Sequence, residues 1–464
     1  MRILNTRYLI LDTQKGQSSL EVLIALSIMV LVISAAIIVG FGNQSAVVDT
    51  ELQSRALQIA RQELEDVRVL ARDDFALIAS STSEDGIYTK NILVNNLGTY
   101  SKEVTAKITW QLSPTQLRDL ELTTIITDWR TVWEQSGTGD GGGGLSGDWL
   151  NPETAGVFDM GPGNEGTDIA VMEETVFITG EASDPKKPDL FSVDVSNINS
   201  PSLVSTIDTG PGLESIALWN TYAYVANDNP NGQLQVIDIS NPASMSLIAT
   251  SSLLSNTELP RTVFAKDGYV YIGTGLAASG PELQIFDVSN PANPSRIATI
   301  EIGDHVNDLY VLKDRLYAAT SKIDKELIVY DVTSPSSPVE IASYNHPSGT
   351  GRSVFVTTYS DAYIGVNDTF VILNTSDLGN ISLVDSISVS GSIFDIYVRD
   401  DLAFVGSDNA NSEFRVINIE NPADLFLQSE FNFPQVATGI TYRDNIVYVS
   451  VRSNNALRII TSTQ

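Results

Sequence analysis

The chain beyond residue 150 repeats a short β-rich unit, and this repeat constrains the fold more than any other feature. The clearest copies read "LFSVDVSNINSPSLVSTI", "LQVIDISNPASMSLIATS", "LQIFDVSNPANPSRIATI" and "LIVYDVTSPSSPVEIASY", and two weaker copies follow them. One polar position recurs at intervals of 44, 49, 44, 43 and 44 residues, at Asp194, Asp238, Asp287, Asp331, Asn374 and Asn418. Because each copy stands beside a turn, we interpret this residue as an acceptor for backbone N–H groups.

Each repeat predicts four short strands, which is typical of one blade of a β-propeller. The wording of the repeat, as in "LQVIDISNP" at Leu234–Pro242, resembles the LVIVD-repeat propeller family. Seven inner strands predict seven blades. The last repeat ends before its outer strand, and "NPETAGVFDMG" precedes the first repeat. We therefore expect an N-terminal strand to complete the last blade.

The first residue of each inner strand varies freely between repeats. Inner strands line the channel of a propeller, so these side chains are expected at its mouth, where loops on a rigid scaffold commonly bind ligands. The candidate ligand-binding residues are Glu214, Arg261, Asn307, Arg352 and Phe394.

Composition excludes several classes of chemistry. The absence of cysteine excludes disulfides, iron–sulfur clusters and thiol nucleophiles, and the only histidines are His305 and His346. No nucleophile motif accompanies them, so we predict no catalytic residues, no metal, no cofactor and no enzymatic activity. The formal net charge of −30 disfavours nucleic acid as a partner.

The N-terminal sequence carries a different signal, "KGQSSLEVLIALSIMVLVIS" from Lys15 to Ser34. The apolar residues 22–39 have the length of a short membrane-spanning helix, and the positive flank before them predicts a cytoplasmic N-terminus. A single carboxylate, Glu21, stands at the start of this run.

"GQSSLEVLIAL" resembles the signal of type IV prepilins and of type II secretion pseudopilins. The resemblance implies cleavage by a prepilin peptidase between Gly16 and Gln17, which makes residues 1–16 a leader. Glu21 would then be the fifth mature residue and would pair with the N-terminal amine of a neighbouring pilin subunit during assembly. The family usually has Phe or Met where this chain has Gln17, so N-methylation stays open.

Residues 17–135 are expected to form a pilin-like domain. Helical spacing predicts that the helix continues to about residue 78, and alternation in "EVTAKITWQL" predicts a strand within a small antiparallel sheet over residues 86–133. The order of these segments resembles PilV-like minor pilins. "SGTGDGGGGLSGD", residues 136–148, reads as a flexible linker to a propeller at residues 149–464.

The expected fold class is therefore a multidomain chain, with a long N-terminal helix and small sheet (α+β) before an all-β seven-bladed propeller. The expected function is that of a minor pilin-like subunit of a type IV pilus-like filament, displaying the propeller for adhesion or surface recognition. Its expected location is the cytoplasmic membrane before assembly and the cell surface or pilus afterwards, with an external surface or glycan as ligand. One alternative is a secretion pseudopilin whose propeller selects cargo, and another is a membrane-tethered hydrolase.

Overall fold

The computed structural model describes residues 29, 52–64, 67–68, 78–98, 101–113, 116–127, 145, 148–182, 184, 186–254, 259–276, 280–347, 349–357 and 360–462. The chain divides into two compact units, Met1–Asp128 and Trp129–Gln464. The predicted leader, the site residues Gly16, Gln17 and Glu21, and residues 22–39 apart from Met29 lie outside the described residues.

The first unit packs a helix on one face of an antiparallel sheet. Residues 52–64 and 67–68 are helical. The sheet has the order β1-β2-β3-β4, with strands β1 (Ser81–Asp85), β2 (Tyr88–Gly98), β3 (Ser101–Ser113) and β4 (Gln116–Thr127).

Two periodicities build the core of this unit. Ala56, Ala60 and Leu64 are spaced four residues apart, so they form one buried helical face. Alternate residues of β3, from Val104 to Trp110, point to the same side and are also buried. Helix and sheet therefore bury one shared apolar layer.

The predicted fold class is wrong in its long N-terminal helix. In the described part of the chain the structure is nearly all β, and its helical stretch is short. Residues 78–80 are not helical, and the Ile78 side chain packs into the core of the sheet, so the helix ends before this point. Helical spacing indicates a buried face but does not by itself mark where a helix ends.

The predicted localisation is also contradicted. Among the residues with described structure, no helix is both long enough and apolar enough to cross a membrane. This finding opposes the expected single-pass anchor in the cytoplasmic membrane with later display at the cell surface.

The second unit consists of seven four-stranded antiparallel sheets, which we number as blades 1–7 in chain order of their inner strands. Blade 1 contains β6 (Asn164–Met172), β7 (Thr175–Ala182), β8 (Leu190–Asp194) and β9 (Ser202–Ile207). Blade 2 contains β10 (Leu213–Trp219), β11 (Tyr222–Asn227), β12 (Leu234–Asp238) and β13 (Ser246–Ser251). Blade 3 contains β14 (Pro260–Lys266), β15 (Tyr269–Thr274), β16 (Leu283–Asp287) and β17 (Ser295–Ile300). Blades 4 and 5 contain β18 (Val306–Leu312), β19 (Arg315–Thr320), β20 (Leu327–Asp331), β21 (Val339–Tyr344); and β22 (Gly351–Val356), β23 (Asp361–Val366), β24 (Thr369–Asn374), β25 (Ser382–Ser388). Blade 6 contains β26 (Ile393–Arg399), β27 (Leu402–Ser407), β28 (Phe414–Asn418) and β29 (Phe426–Phe431).

Blade 7 contains β30 (Ala437–Arg443), β31 (Ile446–Val451) and β32 (Leu457–Ser462), and β5 (Pro152–Phe158) is its outer strand. β5, from the start of the unit, pairs antiparallel with β32, from the end of the chain. The inner strands of neighbouring blades contact one another in a closed cycle, including blade 7 against blade 1. The propeller-like repeats therefore agree with the structure, and closure leaves no inner sheet edge open.

Two residues show how β5, the strand that closes the ring, is held in place. A side chain at Gly156 would place its Cβ 2.0 Å from the carbonyl oxygen of Ile198 in blade 1, so only glycine permits this close approach. Ahead of β5, Trp149 is fully buried and packs edge-on against Phe404 with 4.8 Å between ring centroids. The carbonyl oxygen of Trp149 accepts a 2.6 Å hydrogen bond from Ser429 in blade 6.

Candidate functional site

All seven inner strands contain a β-bulge near their first residue. In each case the pairing with the second strand of the blade skips one residue. A bulged residue is released from the ladder and its side chain is re-aimed, which is common beside functional sites. The skipped residues, which we call the rim residues, are Thr167, Glu214, Arg261, Asn307, Arg352, Phe394 and Thr438.

The rim residues surround a cavity of about 180 Å³ at the mouth of the channel. Six of them line it, and the seventh, Arg352, lies against the ring of the lining residue Phe394. The structure thus brings four of the predicted binding residues into the wall and the fifth beside it. Their role in binding a ligand stays a prediction.

Four rim residues join neighbouring blades, and one of them, Arg261, does so by donating from its guanidinium to Oδ1 of Asn307 at 3.4 Å. The other three bond to backbone. The Thr167 and Thr438 hydroxyls and the Asn307 amide nitrogen each donate to a backbone carbonyl of the next blade, at 2.5, 3.0 and 2.7 Å. The Asn307 amide nitrogen also donates to Ser321. These contacts hold the ring together, so the groups that remain for a ligand are mainly on Glu214, Arg261, Arg352 and Phe394.

The carboxyl group of Glu214 lies in a mixed electrostatic environment. Burial, with a further contribution from the nearby carboxylates of Asp228 and Glu181, raises its pKa to about 7. Arg452 and Arg261 act in the opposite direction. At neutral pH this rim group therefore changes between charged and neutral forms.

Phe394 is flanked by two arginines. The guanidinium carbons of Arg352 and Arg452 lie 5.9 and 5.5 Å from the centroid of its ring, within the range of a cation–π interaction. Arg452 follows β31 and was not among the predicted site residues, because nothing in the repeat pattern indicates where the β31–β32 connection folds.

Directly below the rim, three aspartates bridge adjacent blades. One carboxylate oxygen of each accepts from its own strand, and the other accepts from the inner strand of the next blade. Asp168 accepts from Ile216 N at 2.9 Å, Asp308 from Val354 N at 2.8 Å and Asp395 from Ile440 N at 2.6 Å. Each aspartate therefore uses both oxygens to hold backbone amides.

These three residues, Asp168, Asp308 and Asp395, are called the channel aspartates below. They line the cavity and are otherwise enclosed by protein. Burial raises the pKa of Asp168 to about 6 and that of Asp308 to about 7, against the opposing effect of the backbone hydrogen bonds. Burial also raises the pKa of Asp395, and repulsion from Asp308 and Asp168 adds to the increase.

These pKa values predict how stability depends on pH. Because the folded-state pKa values lie above those of the unfolded chain, the folded state binds more protons between about pH 4 and 7. The stabilisation is present at low pH and is lost as pH rises through 6 to 7, so unfolding at pH 8 should need less denaturant than at pH 5. A variant with Asp168→Ser and Asp308→Ser should show a smaller difference, and an unchanged difference would contradict this assignment.

Aromatic rings form the floor of the cavity on one side. Phe264, Tyr310, Phe355 and Tyr397 come from blades 3–6 and lie side by side, with 5.2, 4.9 and 4.9 Å between successive ring centroids. They occupy equivalent positions, three residues after the rim residue of each of these blades. The cavity thus offers an apolar face beneath a charged rim.

Other polar residues of the repeats have structural contacts. The six recurring Asp and Asn side chains each accept a backbone N–H bond of 2.8–3.1 Å from the residue two positions later, as interpreted from the turn. Nδ1 of His305 accepts from the backbone N–H of Leu276 at 2.8 Å. Within the described ranges, no cluster of three or more His, Cys, Asp and Glu residues could hold a metal ion.

Comparison with known proteins identifies the repeats. Residues 168–209, 213–251, 261–300 and 303–346 match the LVIVD repeat. The chain therefore contains four LVIVD repeats within a β-propeller-like fold, and the predicted pilin-like N-terminal region lies outside these matches. A search of curated proteins finds no match.

Two solved structures can be aligned with this chain. One is a chain of the "Crystal Structure of Mitotic Checkpoint Complex", 12% identical with a TM-score of 0.50, covering 69% of this chain and 97% of that one. The other is the extracellular domain of the putative one component system BT4673 from B. thetaiotaomicron, 16% identical with a TM-score of 0.46, covering 67% of this chain and 39% of that one. At 12% identity the first similarity concerns the fold alone.

Proposed function

We propose that the protein is a recognition protein and that the mouth of its propeller binds a ligand without chemical turnover. The observation that carries this proposal is the set of seven bulged rim residues around one cavity. A rigid ring holds the backbone, while the residue at the bulge differs from blade to blade. A constant scaffold that carries variable contact residues is well suited to recognising a ligand.

A glycan array probed with the full chain tests the proposal. We expect binding to a subset of glycans, and we expect Arg261→Ala and Phe394→Ala to weaken it. The matched control is Arg296→Ala, because Arg296 lies on the outer strand β17 rather than at the rim. Absence of binding to every glycan, or binding that is insensitive to both rim variants, would contradict the proposal.

The N-terminal sequence supports a second, separate part of the proposal. "GQSSLEVLIAL" supports processing by a prepilin peptidase between Gly16 and Gln17 and assembly with pilin-like subunits through Glu21. Mass spectrometry of the protein from its native host tests this directly. A mature chain that begins at Gln17 is expected, and a chain that retains residues 1–16 would contradict it.

A further inference from the structure

We propose that the mouth of the propeller recognises a carboxylate group, held by Arg352 and Arg452 beside Phe394, on a ligand about the size of one sugar ring. This inference rests on the proposed recognition function and names the chemistry of its ligand. We infer it from two guanidinium groups without hydrogen bonds or ion pairs, an aromatic floor, three aspartates whose oxygens are already bonded, and an opening in the rim.

Arg352 and Arg452 belong to a chain with 57 acidic and only 27 basic residues. Yet across the described residues neither guanidinium has a hydrogen bond or ion pair, and Nε of Arg352 is buried without a partner. A buried donor without an acceptor is costly, so a ligand that supplies an acceptor at this position would gain free energy.

The geometry of an arginine selects the missing partner. A guanidinium presents its N–H donors in a planar fork that matches the two oxygens of a carboxylate. Two such groups against the same ring place positive charge on one side of the cavity entrance. A carboxylate there would satisfy donors that the protein itself leaves unpaired.

The acids of the cavity do not favour a cationic ligand instead. Both oxygens of Asp168, Asp308 and Asp395 already accept backbone N–H bonds, so they face their own scaffold. Burial also raises their pKa values, which reduces their negative charge in mildly acidic solution. The fourth acid of the cavity, Glu214, makes no such bonds within the described part of the chain, but its pKa is raised to about 7, so its carboxyl group is largely neutral in mildly acidic solution. Under those conditions the charged groups at the mouth are mainly the guanidinium groups.

Shape and size restrict the ligand further. The cavity of about 180 Å³ is smaller than the roughly 300–1,000 Å³ of pockets for drug-sized ligands. The rings of Tyr310 and Phe355 form part of its floor, and such a surface can pack against the C–H face of a sugar. An acidic sugar combines this face with a carboxylate.

The rim is lowest on the blade that carries Arg352. In every blade, the loop that connects the second strand to the third lies at the same end as the rim residue. In blade 5 this loop contains only residues 367–368. The corresponding connections of the other six blades contain five to eight residues. A ligand that continues beyond one ring can therefore leave the cavity over blade 5.

Titration calorimetry of the full chain at pH 5.5 tests the proposal with D-glucuronate, D-glucose and D-glucosamine. Only the first carries a carboxylate, and the three share one ring. We expect D-glucuronate to bind at least tenfold more tightly than the other two. We expect Arg352→Gln and Arg452→Gln each to weaken D-glucuronate binding at least tenfold without lowering the melting temperature, because neither guanidinium makes a hydrogen bond that the fold would lose.

The control is Arg296→Gln. The Arg296 guanidinium also lies against a phenylalanine, 5.7 Å from the Phe286 ring, but it donates to Ser252 and Gln284 and lies on an outer strand. Its loss should leave D-glucuronate binding unchanged. Undetectable binding of D-glucuronate, or unchanged binding in both the Arg352→Gln and the Arg452→Gln variants, would overturn the proposal. Binding of D-glucose or D-glucosamine that Phe394→Ala abolishes would overturn the carboxylate specificity while leaving recognition at the mouth intact.

Discussion

Trp149→Ala is expected to lower the free energy of unfolding of the propeller by about 3–5 kcal/mol, the usual range for removing a fully buried tryptophan. The side chain has 0% exposure and contacts Phe404, and its Nε1 donates to Asn445 at 3.3 Å. Asn445 belongs to blade 7 and Phe404 to blade 6. The substitution would therefore leave a cavity between two blades next to the closing strand.

Denaturant unfolding followed by circular dichroism measures this effect. Leu150→Ala is the matched control, because Leu150 is the next residue and is 51% exposed. Its substitution should change stability by less than about 0.5 kcal/mol, as is usual at surface positions. A Trp149→Ala variant within 1 kcal/mol of the wild type, a change of the size expected from minor packing losses, would show that this tryptophan does not hold the ring.

Asp308→Ala is expected to destabilise the propeller by about 2–6 kcal/mol, because it leaves two backbone amides without acceptors at a cost of about 1–3 kcal/mol each. These are the N–H groups of Leu309 and Val354, at 2.7 and 2.8 Å from the carboxylate. The second bond crosses from blade 4 to blade 5. The measurement should be made at pH 5, where the raised pKa of Asp308 keeps its carboxyl group largely neutral. The stabilisation from the two hydrogen bonds is then not offset by the cost of burying a charge.

Asp287→Ala is the comparison for this variant. Asp287 also accepts a backbone N–H bond of 2.8 Å, from Ser289, but its carboxylate is exposed and water can replace it. We expect a loss below about 1 kcal/mol for such an exposed hydrogen bond. Equal losses for Asp287→Ala and Asp308→Ala would contradict the distinction between turn aspartates and channel aspartates.

The repeat pattern predicts much of the second unit, because a blade is a local unit whose four strands follow one another in sequence. Strand alternation likewise predicts the inward face of β3, from Val104 to Trp110, since side chains alternate between the two faces of a sheet. The rim positions follow from the same periodicity. What it does not reveal is the bulge that turns Arg352 or Phe394 toward the mouth, because a bulge depends on pairing with the second strand.

Other features depend on contacts between distant residues. Trp149 directly follows the predicted linker, and its burial depends on blades 6 and 7. Asp168 occupies a position that resembles a turn-capping residue, yet it joins two inner strands across blades. The long N-terminal helix was predicted from apolar spacing, which describes a face but not the residue at which the chain turns into a sheet.

The most direct measurement of the central claim is a crystal structure of the full chain soaked with D-glucuronate at pH 5.5. We expect density for the sugar in the channel mouth, over the rings of Tyr310 and Phe355, with its carboxylate within hydrogen-bond distance of the guanidinium groups of Arg352 and Arg452. Density for the sugar elsewhere on the propeller, or with its carboxylate turned away from both arginines, would contradict carboxylate recognition at the mouth.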